Sequence, residues 1–280
     1  MSRITIRDIG AMKSNNEKVV MLTAYDYGAS RIADSLNIPM LLVGDSLGNV
    51  ILGYQNTVPV KLEDIVYHTR AVVRGSDKAM IVADMPFMTY KTDPSEGLRN
   101  AARCIQDGGA HAVKLEGGKE ITPTVKRIVD AGIPVMGHVG LTPQSVNAIG
   151  GYRVQGKVKS SALKLIRDAE SLQESGVFAL VMELIPSAVA GIITKRLSIP
   201  TIGIGAGPYC DGQVQVWHDL LGLSEEFTPK HARKFASLAE VIREAINRYV
   251  SEVKDGTFPN EEESFTMDET LVDELEKSLD

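Results

Sequence analysis

"TPTVKRIVDAGIPVMGHVG" (122–140) packs a helix, a turn and a strand into one short stretch. In its first half Val125, Ile128 and Val129 recur at the three- and four-residue spacing of one helix face. Gly132 stops that helix, and Pro134 opens an extended run, "PVMGHVG", that is apolar at successive positions. A strand apolar on both faces needs cover on both, which is the condition of a parallel sheet layered with helices. The same order returns at "SAVAGIITKRLSIPTIGIGAG" (187–207), where "SIPTI" repeats the turn of "AGIPV".

Working outward from these two units, eight short apolar runs read as strands: 19–26, 40–45, 80–87, 111–118, 134–140, 178–185, 200–207 and 212–219. Between them the helical period predicts helices over 61–75, 94–109, 122–132, 161–176 and 187–198. Eight alternating units in one chain point to an α/β protein with a single (β/α)₈ TIM barrel, with an open doubly wound sheet as the rival. A long amphipathic stretch at 231–256 is expected to close the barrel and leave an apolar edge for a partner subunit.

The 280 residues, 44% of them hydrophobic, suffice for one large core. No apolar run is long enough for a membrane span, and the start "MSRITIRDIGAMKSNNEKVV" lacks the features of a signal peptide. Cys104 and Cys210 form no disulfide framework or zinc pattern, so a reducing cytoplasm is expected. Residues 251–280 carry eleven Asp/Glu against two Lys, a net of −9, so the other 250 residues hold +3 of the total of −6. A nearly neutral body without a basic stripe argues against nucleic acid as a partner. The acidic tail reads as a solvated, partly disordered terminus.

Chemistry in parallel αβ proteins sits where strands end. Here the strands end in Tyr25 and Asp26, in Asp45 and Ser46, in Asp84, in Lys114 and Glu116, in His138, in Glu183, and in "GIGAG" (203–207). Any one Asp in such a place is commonly the cap of the next helix, and any one His a hydrogen-bonded structural residue. Ionisable residues at successive strand ends are harder to explain that way. Asp45 and Asp84, on neighbouring strands with no Cys and one His nearby, suit Mg²⁺. Glu116 is either a third ligand, direct or through water, or the partner that holds Lys114. Lys114 and Glu116 share one face of their strand, and an ammonium beside a metal suits a substrate with a carboxylate and a carbonyl. A Schiff-base role for Lys114 stays open, although a metal would polarise the carbonyl without covalent chemistry. Glu183, in apolar "LVMELIP", is expected to be desolvated and ready to take up a proton as general base; a buried Glu paired with Lys or Arg is the alternative. "GIGAG" fits either a phosphate cradle or tight backbone packing.

"LTAYDY", "VGDSLG", "ADMPF", "VKLEGG", "GHVGLTPQS", "GGYRVQG" and "GIGAG…DGQV", in this order, resemble the ketopantoate (3-methyl-2-oxobutanoate) hydroxymethyltransferases over about residues 4–265. The resemblance implies a (β/α)₈ barrel of the phosphoenolpyruvate/pyruvate-binding type over 1–265, with 266–280 as a flexible acidic extension. It implies Mg²⁺ on Asp45 and Asp84 with Glu116 completing or supporting the shell, and a keto acid held by Asp45, Ser46, Asp84 and Lys114. Glu183 is then the proton acceptor and His138 a catalytic pocket residue near the substrate oxygen. It further implies 5,10-methylenetetrahydrofolate as co-substrate, a place in pantothenate and coenzyme A biosynthesis, a cytoplasmic location and a homodecamer. A Mg²⁺-dependent keto-acid lyase or mutase of the same barrel type, without folate, is the nearest rival.

Overall fold

The structure is a computed structural model that describes residues 3–224 and 229–279. The eight strands are β1 (Val19–Thr23), β2 (Met40–Val43), β3 (Met80–Asp84), β4 (Ala112–Glu116), β5 (Val135–Gly140), β6 (Ala179–Glu183), β7 (Thr201–Ile204) and β8 (Gly212–Gln215). They run parallel in sequence order and close on themselves, β8 pairing with β1. The barrel expectation therefore holds, and the open sheet is excluded. Pro134 and Pro200 sit at strand mouths, where neither needs an N–H, and each passes its carbonyl to a neighbour, Val113 N and Leu180 N.

Alternation along each strand sorts the side chains. Met40 and Leu42, Met80 and Val82, Ala112, Met136, and Ala179 and Val181 form one buried cluster, the barrel interior. The residues between them, such as Leu41, Val43, Ile81, Val113 and Leu180, join the cluster that packs on the helices. Each such burial contributes about 1.5–3 kcal/mol. Small Ala and Gly beside large Met along the inward face fill the bore in layers, so it is solid at this level.

The amino end of the barrel has a floor. Helix Ile6–Ser14 inserts the fully buried Ile9 into the interior cluster. Lys13 at its end ties Thr194 O, Ile199 O and the Asp211 carboxylate together at 3.1, 2.9 and 2.8 Å. This helix was not expected from the sequence, and neither was Tyr27–Ser35 after β1.

The helical ring departs from eight full units. Among the described residues, β7 passes to β8 through 205–211 with no helix, and the helix directly after β8 is the five-residue Trp217–Leu221. The helix predicted over 231–256 begins later, as Leu238–Lys254, and buries none of its residues, so it does not close its own barrel. The tail expected to be partly disordered contains a solvated helix, Glu269–Lys277.

Candidate active site

The inward stripe that fills the bore with Met, Val and Ala changes character at the carboxyl end. On β3 it runs Met80, Val82, Asp84; on β4 Ala112, Lys114, Glu116; on β5 Met136, His138; on β6 Ala179, Val181, Glu183. Register sets them side by side: Asp84 pairs with Lys114, Glu116 with His138, and Glu183 with Gly140. Gly140 has φ +102°, and a Cβ there would run into the Glu183 carbonyl oxygen, so only glycine lets β5 turn this close to β6.

Asp26 caps the following helix, its carboxylate accepting from Ala29 N at 2.7 Å, so the cap explanation holds there. Asp45 and Asp84 do no such work. The Asp84 carboxylate accepts from Asp45 N at 3.2 Å and lies 2.8 Å from Lys114 Nζ. Lys114 is thus the partner of Asp84, not of Glu116. Glu116 faces His138 Nδ1 at 3.4 Å through one oxygen and accepts from Gln144 N at 3.1 Å through the other. Nε2 of His138 lies 3.3 Å from the Glu183 carboxylate, and its Nδ1 lies 3.3 Å from Lys114 Nζ. Glu183 is not sealed among apolar groups as expected: its side chain is 15% exposed, and its partner is His138, not Lys or Arg. Ser46, half-buried, shares a 2.8 Å hydrogen bond with Tyr25 OH.

These charges are buried and act strongly on one another. Burial, followed by the charges of Asp84 and Glu116, pushes the Asp45 carboxyl well up. Burial also raises Asp84, with Lys114 pulling the other way and Glu116 adding to the rise. For Lys114 burial pulls down, but Asp84, Glu116 and Asp45 outweigh it and hold the ammonium charged. Burial and Lys114 pull His138 down, and Glu116 and Glu183 on its two sides lift it to about 9. Glu116 stays below the ordinary range because His138 and Lys114 overcome its burial. The cluster therefore crowds Asp45, Asp84 and Glu116 around one fixed ammonium, and burial and mutual repulsion disfavour the charge on the two aspartates.

A divalent cation fits this donor set. Asp84 Oδ1 and Glu116 Oε1 meet only Lys114 Nζ and His138 Nδ1, Asp45 has no cationic side chain in contact among the described residues, and three buried acids beside one ammonium leave room for a compensating charge. No three His, Cys, Asp or Glu side chains of the described residues form a complete metal cage. Two carboxylates with the rest left to water and substrate oxygens is the arrangement Mg²⁺ uses. "GIGAG" resolves toward packing: Gly207, at φ +80°, leaves its Cβ position filled by Ser187, and Gly203 is backed by Cys210.

The chain matches the family model described as ketopantoate hydroxymethyltransferase over residues 3–261. It belongs to that family. A 3-methyl-2-oxobutanoate hydroxymethyltransferase of Dehalococcoides mccartyi is 56% identical over 277 residues, covering 99% of this chain and 98% of the relative. One of Chloroflexus aurantiacus is 57% identical over 266 residues, covering 95% and 94%. Members of the ketopantoate hydroxymethyltransferase family are enzymes, and this chain is a hydroxymethyltransferase. Phosphonopyruvate hydrolase superposes with a TM-score of 0.62 at 9% identity over 99% of this chain and 96% of its own. A 2,3-dimethylmalate lyase of the phosphoenolpyruvate mutase/isocitrate lyase superfamily gives 0.56 at 14% identity over 98% and 96%. Likeness at that identity shows the shared barrel alone, so the folate-free lyase or mutase reading loses its support.

Sequence reasoning did not single out Gln144 or Tyr90, although both sit in the buried network. Gln144 lies in the "GHVGLTPQS" motif, but an uncharged side chain in a loop leaves no periodic or electrostatic mark.

Proposed function

We propose that this chain transfers a hydroxymethyl group from 5,10-methylenetetrahydrofolate to 3-methyl-2-oxobutanoate, giving ketopantoate and tetrahydrofolate in pantothenate and coenzyme A synthesis. The observation that carries it is the turnover of the inward stripe to Asp84, Lys114, Glu116, His138 and Glu183 on adjacent strand ends in a chain of this family. Asp45 and Asp84 are the residues that would hold Mg²⁺, with Glu116 behind them, turned toward His138. When bound, the ion supplies Lewis acidity toward the oxygens of the keto acid.

The side chains supply the rest. Ser46, its hydroxyl oriented by Tyr25, binds the substrate carboxylate. Lys114, kept protonated by its acids, is a cation for the keto oxygen and a poor candidate for a Schiff base. Glu183, partly open to the mouth, takes the proton from C3. His138 bridges Glu116 and Glu183, holding the base in place and offering a positive charge to the enolate oxygen. C3 then attacks the one-carbon unit of the folate, and water completes the hydroxymethyl group.

Residues 1–265 act as the catalytic barrel in this reading, with 266–280 an extension outside it. Two free buried cysteines and the absence of any described helix able to cross a membrane support a cytoplasmic setting. Ile242, Ile246, Tyr249 and Val253 form an exposed apolar stripe on Leu238–Lys254, which supports a homo-oligomer, a decamer by resemblance.

The test is proton exchange at C3 of 3-methyl-2-oxobutanoate, followed by NMR, together with product analysis when the folate is added. Exchange is expected to need a divalent ion but no folate, and ketopantoate to form only with both. Exchange that survives chelation unchanged would falsify the scheme.

A further inference from the structure

Gln144 touches the carboxyl ends of three strands from a loop that belongs to none of them. It follows β5, in the short turn Pro143–Ser145, and is 2% exposed. Its side-chain Nε2 donates to Asp45 Oδ2 at 3.0 Å and to Met85 O, just past β3, at 2.9 Å. Its backbone N–H donates to Glu116 Oε2 at 3.1 Å. Its Oε1 lies 2.8 Å from Tyr90 OH, whose one proton is shared between this oxygen and Glu116 O at 2.9 Å, and the Tyr90 oxygen accepts from Glu116 N at 3.0 Å.

This pattern fixes the orientation of the amide. Turned over, Oε1 would face the Asp45 carboxylate and the Met85 carbonyl, two acceptors against an acceptor. Both amide N–H groups and the backbone N–H of Gln144 are committed in the orientation found, and Tyr90 packs against the far end. One consequence is selective. Gln144 engages one oxygen of Asp45 and one of Glu116, leaving Asp45 Oδ1 outside its contacts and Glu116 Oε1 turned toward His138. A second concerns charge: a glutamate here would bring another carboxylate against Asp45, whereas a glutamine brings the same reach with a neutral donor.

We propose that Gln144 is a positioning residue for the cation site, aiming the Asp45 carboxylate, and that Tyr90 acts through it. The proposal rests on the reading that Asp45 and Asp84 hold a divalent ion. Outer partners of this kind typically govern ligand orientation, and their loss costs about 10–100-fold in metal affinity.

The experiment is Mn²⁺ titration of the full chain, read by electron paramagnetic resonance, for wild type, Q144M, Y90F and D45N, with folding checked by circular dichroism. Q144M is expected to weaken Mn²⁺ by about 10–100-fold, Y90F by a smaller factor in the same direction, and D45N to abolish binding. Saturating Mn²⁺ should restore most of kcat in Q144M while its apparent KM for the metal stays raised, a split that simple destabilisation does not produce. Folded Q144M with wild-type Mn²⁺ affinity overturns the proposal. Should Q144M not fold, Y90F decides, and unchanged affinity there overturns it as well. Wild type that binds no Mn²⁺ removes the cation reading itself, and the proposal with it.

Discussion

Asp34 and Asp45 show the same 4% of their surface to solvent, Asp34 close under the surface and Asp45 deep in the barrel, and they have opposite lives. Asp34, at the end of helix Tyr27–Ser35, accepts from Ser76 Oγ at 2.7 Å and from the N–H groups of Asp77, Lys78 and Ala79 at 3.1, 3.0 and 2.9 Å. Against the penalty of burial these donors bring its carboxyl down to about 2. Asp45 has Gln144 as its side-chain donor and two acids as neighbours, and is pushed up. Surface exposure does not distinguish the structural acid from the one proposed to bind an ion; depth and the donors around it do. Asp34 is finished by its own fold. Asp45 is left with one oxygen outside the Gln144 contact and no cationic partner among the described residues.

The comparison breaks most sharply by mutation at the unfinished end. Asp45→Asn and Asp84→Asn should each lower turnover by about 10⁴-fold, through loss of the Lewis acid and its substrate contacts. Because like-charge repulsion is relieved, Asp45→Asn should not melt below wild type, whereas Asp84→Asn also unpairs the buried Lys114 ammonium and should melt lower; an Asp45→Asn variant that lost stability in step with activity would make Asp45 a structural acid after all. Glu183→Gln should cost about 10³-fold in C3 exchange while keto acid and metal still bind; near-full exchange would remove Glu183 as the base. At the finished end, Asp34→Asn should leave kcat within a factor of about two and lower stability by about 2 kcal/mol. Its pH signature has a definite sign. A carboxyl held below its ordinary 3.8 stabilises the fold fully above that value and ceases to do so as pH falls toward about 2, so the gap between wild type and Asp34→Asn should close over that interval in acid melts. The smallest effect belongs to the tail: removing 266–280 should change turnover less than about twofold, since every described residue there is exposed.

Much of this was legible in the residues. The helix–turn–strand unit at 122–140 announces the barrel because strands apolar on both faces have few other homes. Asp84, Lys114, Glu116, His138 and Glu183 stand out because ionisable groups occupy inward positions where Met and Val precede them. Their pairing was less legible. Lys114 chooses Asp84, its neighbour across the ladder, over Glu116 on its own strand, and nothing in the spacing distinguishes the two. Gln144 and Tyr90 lie in loops, where no period marks them. The helixless passage from β7 to β8 was read as a further unit because "GQVQV" alternates like a strand, and alternation carries no information on what covers it. Leu238–Lys254 shows an amphipathic period but not which surface its apolar face meets.

The floor made by helix Ile6–Ser14 has a kinetic consequence. Ile9 fills the lower end of the bore, so among the described residues the acids face the rim, and in the proposed reaction a keto acid bound to them would lie at the bottom of a dead end. Two reactants that meet there share one doorway. If the proposed reaction is right, the smaller should enter first and the folate second, and the folate product should leave before ketopantoate. Initial-rate plots against the two substrates should therefore intersect rather than run parallel, and tetrahydrofolate should dissociate as the first product in single-turnover traces.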